Sequence, residues 1–235
     1  MTKIVPVHNE PALLLNNKIL VIADLHLCLE LELRNAGINL QSQTDKILNK
    51  ILKLCNKYKI KKLIILGDVK HKVPNISYQE LKDIHRMLEK LVAEGIAVEI
   101  IPGNHDGAIH RLLPKTVKVH SSKGTSIEGL GLFHGHAYPS EKVLACKELV
   151  TAHIHPVVAL STGLGSSIAE PCWLKFSAKR QNIIIMPAFN KLCGCAVNTR
   201  NLKLRPPLSK LIDLNKASIY LLDGTLVGKL YSLVK

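Results

Sequence analysis

A chain of 235 residues has room for one large domain or two small ones, and at 47% apolar residues it can bury a sizeable core. Aromatics make up only 4%, so that core is built mainly from Ile, Leu and Val, and no apolar run approaches the length of a membrane span. Lys and Arg number 32 against 18 Asp and Glu, a formal net charge of +14, which favours a polyanionic partner or substrate such as nucleic acid or another phosphate-rich molecule. Six cysteines, at 28, 55, 146, 172, 193 and 195, show neither paired CxxC zinc spacing nor a small-domain disulfide pattern. They are read as reduced thiols of a cytoplasmic protein. The stretch from Met1 to Glu10 lacks the apolar segment of a secretion signal.

The first apolar run, Lys18 to Ala23, predicts a buried strand that ends at Asp24-Leu25-His26. If the chain runs on extended, Asp24 and His26 share a face and form a two-ligand clip. Residues 41–62 read as a helix, with Ile47, Leu48, Ile51, Leu52, Cys55 and Tyr58 on one stripe and lysines opposite. Leu63 to Leu66 is a second buried strand and ends at Gly67-Asp68, with Lys70 and His71 close behind. A second helix is expected over 77–94, opened by a Ser77/Glu80 capping box and closed by Gly95. The third strand, Ala97 to Ile101, breaks at Pro102-Gly103 and delivers Asn104, His105 and Asp106 in a turn. Strand, helix, strand, helix, strand implies parallel pairing with crossover helices, and ligands gather at the carboxyl ends of such strands.

Beyond residue 114 the texture turns to short strands. Residues 117–120 and 126–133 come first, the latter ending at His134-Gly135-His136, and residues 141–148 read as a short helix. The run 149–152 ends at His153-Ile154-His155, and strands at 157–161, 173–176 and 182–186 and a hairpin at 219–230 follow. Pro206-Pro207 marks an exposed loop and not a domain boundary, so residues 1–235 are expected to form one domain. Lys175, Lys179, Arg180, Lys191, Arg200, Lys203, Arg205, Lys210 and Lys216 face a single acid, Asp213, over 171–216. A solvated basic face is the plain reading of that stretch, and a groove for a phosphate backbone the sharper one.

Five strand ends therefore carry Asp, Asn or His, and six of the eleven histidines sit at them. Packing alone does not account for this, because such groups are costly to bury without a metal or hydrogen-bond partners. Carboxylate, imidazole and amide oxygen together suit manganese, iron, zinc or a similar divalent ion and argue against an iron–sulfur cluster. Setting aside His105 and one histidine of the 134/136 pair leaves seven ligands, which fit two ions if one carboxylate bridges. Two ions about 3.5–4 Å apart clamp the attacking and leaving oxygens of an in-line displacement at phosphorus. His8, His85, His110 and His120 are taken as surface or structural, and Cys193-Gly194-Cys195 is taken as ordinary thiols rather than a metal site.

In this order, Asp24-x-His26, Gly67-Asp68, Gly103-Asn104-His105-Asp106, His134-Gly135-His136 and His153-x-His155 resemble the signature of the calcineurin-like metallophosphoesterases. Gly67-Asp68-Val69-Lys70-His71, Glu30 and Pro187-Ala188-Phe189-Asn190 are further similar to the archaeal phosphoesterases related to SbcD, the nuclease subunit of a bacterial DNA-repair complex. The resemblance implies an α/β fold, a four-layer αββα sandwich, and two divalent ions, manganese first, with iron, zinc or nickel as alternatives. It implies Asp24, His26 and His155 on one ion, Asn104, His134 and His153 on the other, and Asp68 bridging. A metal-bridging water would attack phosphorus, with His105 protonating the leaving oxygen and Asp106 orienting its ring. His136, His71 and Lys70 would lie near the substrate phosphate, with the reverse assignment of His134 and His136 as the alternative. Two positions depart from the pattern: Ala152 stands where the last motif usually has glycine, and Cys28 where a glycine commonly follows the first motif.

The expected activity is hydrolysis of a phosphodiester in nucleic acid or a nucleotide. A phosphomonoesterase needs the same ions, and a non-catalytic interaction module of this fold would have lost ligands that are all present here. Related nuclease subunits work with an ATPase partner, but nothing in this chain marks an extension that would bind one.

Overall fold

Apolar tetrads and pentads, too short for helices and rich in Ile, Leu and Val, become the strands of two stacked sheets. The computed structural model describes residues 2–162, 166–177, 181–197, 204 and 206–233. The first sheet is six-stranded, in the order β1 (Ile4–Pro6), β2 (Ala12–Leu15), β3 (Ile19–Ala23), β4 (Lys62–Leu66), β5 (Ala97–Ile101), β6 (Lys118–Val119). Strands β3 to β6 run parallel, as the alternating pattern implies. Strands β1 and β2 add an antiparallel edge that the sequence reading left out. Helix α1 (Leu29–Asn35), also not expected, follows β3; α2 (Thr44–Tyr58) and α3 (Tyr78–Ala93) make the crossovers. Helix α2 is shorter than expected because Lys59 takes a left-handed C-cap and Ile60 N–H returns to the Cys55 carbonyl at 2.8 Å, which turns the chain into β4. Helix α3 carries the expected capping box: Ser77 accepts from the Glu80 N–H, and the Glu80 carboxylate accepts from the Ser77 N–H.

The second sheet holds β7 (Thr125–Ile127), β8 (Leu130–Leu132), β9 (Glu148–Thr151), β10 (Pro156–Ser161), β11 (Ser167–Ser177), β12 (Asn182–Ile185) and β13 (Cys195–Ala196), in the order β13-β10-β11-β12-β9-β8-β7. β14 (Ser218–Leu221) pairs with β11 and with β15 (Leu226–Lys229). The single strand expected over 126–133 is a hairpin instead, folded at Glu128-Gly129, where both residues have positive φ. Short helices α4 (Glu141–Leu144), α5 (Leu208–Leu211) and α6 (Leu230–Leu233) complete the described α-helices; α4 covers only half of the span expected to be helical. Of the basic stretch, Lys175, Lys191, Lys210 and Lys216 are exposed, whereas Lys179, Arg180, Arg200, Lys203 and Arg205 lie outside the described residues.

Three apolar clusters give the layers. Leu13, Val21, Ile64 and Ile101 of the first sheet meet Leu132, Val150, Trp173 and Met186 of the second, so the sheets pack face to face. Ile47, Ile51, Ile84 and Leu88 of α2 and α3 cover the outer face of the first sheet. Val143, Leu208 and Leu230 of the short helices pack with Leu149, Leu174 and Ile219 on the outer face of the second. Two sheets flanked by helices are the expected α/β sandwich, with a thin fourth layer. No helix among the described residues is long and apolar enough to cross a membrane.

Candidate metal centre

The loops leaving β3 and β4 stay laddered beyond their strands. Asp24 N–H donates to the Gly67 carbonyl at 3.1 Å, His26 N–H to the Asp68 carbonyl at 2.8 Å and Leu27 N–H to the Val69 carbonyl at 2.9 Å. The second sheet does the same: Ala152 N–H and Thr151 Oγ1 both donate to the His134 carbonyl at 2.9 Å. The extended clip expected for Asp24 and His26 is not what forms. Both residues are left-handed, with φ of 54° and 39°, and it is the ladder to residues 67–69 that brings their side chains together. Asp68, His153 and His155 are left-handed too, at 50°, 77° and 45°. The conformation costs an ordinary residue about 1–2 kcal/mol, and such positions gather at functional sites.

Two glycines make room for the cluster. A Cβ on Gly67 would lie 2.2 Å from His134 Cδ2, and one on Gly103 would lie 2.0 Å from Asp68 Oδ1. Ala152, in contrast, is not left-handed, so its methyl group brings no backbone strain. Cys28 is left-handed, at φ 68°, and its buried thiol lies 3.9 Å from Asp83 Oδ2.

Two buried carboxylates form the floor. Asp24 Oδ1 is 2.9 Å from His134 Nε2 and 3.3 Å from His155 Nε2. Asp68 Oδ2 is 3.5 Å from both His26 Nε2 and His134 Nε2, while Oδ1 accepts the His105 N–H at 2.9 Å. With one donor atom from each, Asp24, His26, Asp68 and His155 lie within 4.8 Å of one another, and so do Asp68, His134 and His153. Asp68 is common to both groups. His134 turns Nε2 to the carboxylates, and its Nδ1 lies 3.0 Å from His136 Nδ1, which sets His136 one ring further out. Asn104 is exposed in the turn after β5. A cavity of about 810 Å³ lies where β9 begins and is lined by none of these residues.

Burial alone would raise the Asp24 carboxyl, but His155 and His134 hold it well below the usual carboxylate range. Burial opposes charge on His134, yet its hydrogen bond to Asp24 and the charges of Asp68 and Asp24 raise it. Burial and His155 lower His26 to about 3, and burial and His134 lower His136 and His153 each to about 4. These three rings are neutral at pH 7 and offer lone pairs, the form a metal requires. The donor set fits divalent ions. His26 Nε2 and His155 Nε2 face each other at 3.2 Å, and His153 Nδ1 is buried without a hydrogen-bond partner among the described residues. A cation between such lone pairs satisfies them together.

Two expectations are corrected here. Asp106 does not orient His105: its carboxylate accepts the N–H groups of Gly103 at 2.8 Å, Val69 at 2.9 Å and Lys70 at 3.3 Å, so it staples the second motif loop to the third. Burial, only partly offset by the Gly103 N–H, raises the Asp106 carboxyl to about 6. His105 is oriented instead by the His71 carbonyl, 2.6 Å from Nδ1. The second correction concerns Lys70. It is fully buried and its ammonium donates to the Lys72 carbonyl, so it does not face a substrate phosphate. His71 does reach the cluster, with Nδ1 3.3 Å from His26 Nδ1 and Nε2 2.8 Å from Glu32. Glu80, read only as a cap, also accepts from the His71 N–H at 3.1 Å and the Lys72 N–H at 2.7 Å and so holds that loop.

The sequence reading missed one neighbour of the cluster. Cys193 Sγ lies within 4.8 Å of ring nitrogens of His26 and His155. Burial, with the Asp24 and Asp68 carboxylates nearby, pushes its thiol up to about 12. Of the subgroup matches, Glu30 accepts the Gln43 N–H at 3.2 Å and anchors the start of α2, away from the cluster.

The family model of calcineurin-like phosphoesterases matches residues 17–185, a span that holds every candidate ligand of the five motifs. Among solved structures, the nuclease MPE of Pseudomonas putida superposes with a TM-score of 0.61 at 19% identity, over 95% of this chain and 98% of that one. Yfce, a phosphoesterase from E. coli, superposes with a TM-score of 0.45 at 18% identity, over 90% and 97%. No curated protein matches the sequence. The likeness to the SbcD-related subgroup is not reproduced at this level, but with the family model covering most of the chain, this protein belongs to the calcineurin-like phosphoesterases, hydrolases of phosphoric ester bonds.

Proposed function

We propose that this chain hydrolyses phosphodiesters, with nucleic acid or nucleotides as the substrate class, using two divalent ions. Asp24, His26 and His155 would hold one, Asn104, His134 and His153 the other, with Asp68 shared. The observation that carries the reading is the pair of ligand groups with Asp68 in common. Bound there, the ions would supply the Lewis acidity that acidifies water and offsets charge at the reacting phosphate. Manganese suits this set of oxygen and imidazole donors; iron, zinc and nickel are the alternatives.

The chain's own part is positioning and proton transfer. A carbonyl only accepts, so the contact of His105 Nδ1 with the His71 carbonyl keeps the proton on Nδ1 and leaves Nε2 to carry a second proton to the leaving oxygen. Asp106 holds the loops that present Asp68 and His105 in register. His136 and His71, one ring outside the two groups that share Asp68, would meet the substrate phosphate. The net charge of +14 supports an extended anion over a small monoester, and the Pseudomonas putida protein of like fold is named a nuclease. Six free cysteines support a reducing, cytoplasmic setting.

Turnover of bis-p-nitrophenyl phosphate against p-nitrophenyl phosphate, with Mn²⁺ added and His105→Ala alongside, tests the reading. Diester turnover that the substitution abolishes is the expected result. Monoester turnover alone would make the protein a phosphatase. No turnover of either ester across several metals would favour an interaction module.

A further inference from the structure

The segment after β12 is tied down at both ends to the two loops that carry His26 and His155. On one side, Phe189 N–H donates to the Ala23 carbonyl at 2.8 Å, and Asn190 Nδ2 donates to the Leu25 carbonyl at 2.9 Å. On the other, Cys195 N–H donates to the His155 carbonyl at 2.8 Å, and Cys195–Ala196 pairs in parallel with Pro156–Val157. Between these anchors Cys193 N–H returns to the Asn190 carbonyl at 3.1 Å. A Cβ on Gly194 would lie 2.8 Å from Val157 Cγ1, so glycine there lets the strap lie against β10. Fixed within three residues on either side, Cys193 presents Sγ to His26 and His155, with the three donor atoms inside 4.8 Å. Ligands at about 2.1 Å for nitrogen and about 2.3 Å for sulfur sit roughly 3.1–3.6 Å apart at angles of about 90–109°, so donor atoms within 4.8 Å close on an ion with a contraction of at most about 1.7 Å.

We infer that Cys193 is a further ligand of the ion held by Asp24, His26 and His155, and that its thiolate biases that position towards thiophilic divalent metals such as zinc, cobalt or iron. The inference rests on the metal centre proposed above. On binding, the S–H bond breaks, its proton passes to solvent and sulfur bonds the ion. The two positions of the centre would then differ in kind: one mixed nitrogen, oxygen and sulfur, the other nitrogen and oxygen only. Soft ligands select by metal type where affinity alone does not.

Cobalt(II) reports both halves of this claim. Metal-free full-length protein is titrated with Co²⁺ under anaerobic conditions and its absorption recorded. Wild type should show visible d–d bands from bound cobalt together with a near-ultraviolet thiolate-to-cobalt charge-transfer band. Cys193→Ser and Cys193→Ala should lose the charge-transfer band and keep the d–d bands. Cys195→Ser should keep both, because Cys195 is exposed and outside the cluster. In competition, Cys193→Ser should lower zinc affinity relative to manganese by roughly 10-fold. Cobalt bound by wild type with d–d bands alone would overturn the role of Cys193 and leave the metal centre standing. The same holds if the charge-transfer band survives in Cys193→Ser. No cobalt retained by wild type would overturn the centre and this inference together.

Discussion

The two sheets contribute different chemistry to one cluster. Loops of the first sheet bring both buried carboxylates, Asp24 and Asp68, along with His26, Asn104 and His105. Loops of the second bring His134, His153 and His155 and, by way of the strap after β12, Cys193. Fixed negative charge thus sits on one side of the seam and most of the neutral or cationic ring nitrogens on the other. Each of the two groups that share Asp68 contains residues from both sheets. The site exists only when the sheets stack, which links metal affinity to the packing of the apolar layer between them.

The comparison is broken most severely at Asp68, the one residue in both groups. Asp68→Asn should cut turnover by more than about 10³-fold, the upper end of what one preorganised charge contributes. Metal content, read by plasma mass spectrometry, should fall with it. His105→Ala removes the proton donor without touching either group that contains Asp68 and should lower turnover by roughly 10²–10⁴-fold with metal content unchanged. An equal loss of metal in that variant would count against the division of roles.

Stability separates two backbone positions in the first sheet's loops. Gly67→Ala places a methyl group on His134 in a left-handed conformation, and a loss of more than about 2 kcal/mol is expected in urea unfolding. Cys28→Gly trades left-handed strain against a buried thiol, two terms of about 1 kcal/mol each and opposite sign, so the midpoint should move little. The smallest effect lies at Glu99, paired with Lys62 at 2.7 Å and His120 at 2.6 Å. Burial would raise its carboxyl, but those two partners lower it. Its contribution, about 1 kcal/mol for a partly exposed pair, is therefore present above the ordinary carboxylate range near pH 4.3 and lost as pH falls through the lower folded value. Glu99→Gln should be less stable than wild type at pH 7, and the two melting curves should converge on acidification.

Much of the first sheet was legible because its strands are buried pentads ending in motif residues, and the crossover helices carry a clear apolar stripe. Strand β2 escaped notice although Asn16-Asn17, with φ of 49° and 54°, is a turn pair that suits a tight hairpin into β3. The motif residues were readable as strand ends, but their convergence was expected from extended backbone, whereas left-handed turns produce it. What could not be read were contacts made through backbone atoms or remote segments. The His71 carbonyl behind His105 carries no side-chain signal. Cys193 reaches His26 across more than 160 positions only because Asn190 ties its strap to the Leu25 carbonyl. A CxC pair looks unremarkable until that strap is seen.

The most direct test of the shared-carboxylate centre is turnover of bis-p-nitrophenyl phosphate as Mn²⁺ is added to chelator-stripped protein, with bound metal counted at each step. The account predicts no turnover without metal, full turnover only as two ions per chain are bound, and none in Asp68→Asn at any manganese concentration tested. Full turnover by the stripped protein, or saturation at one ion per chain, would contradict it.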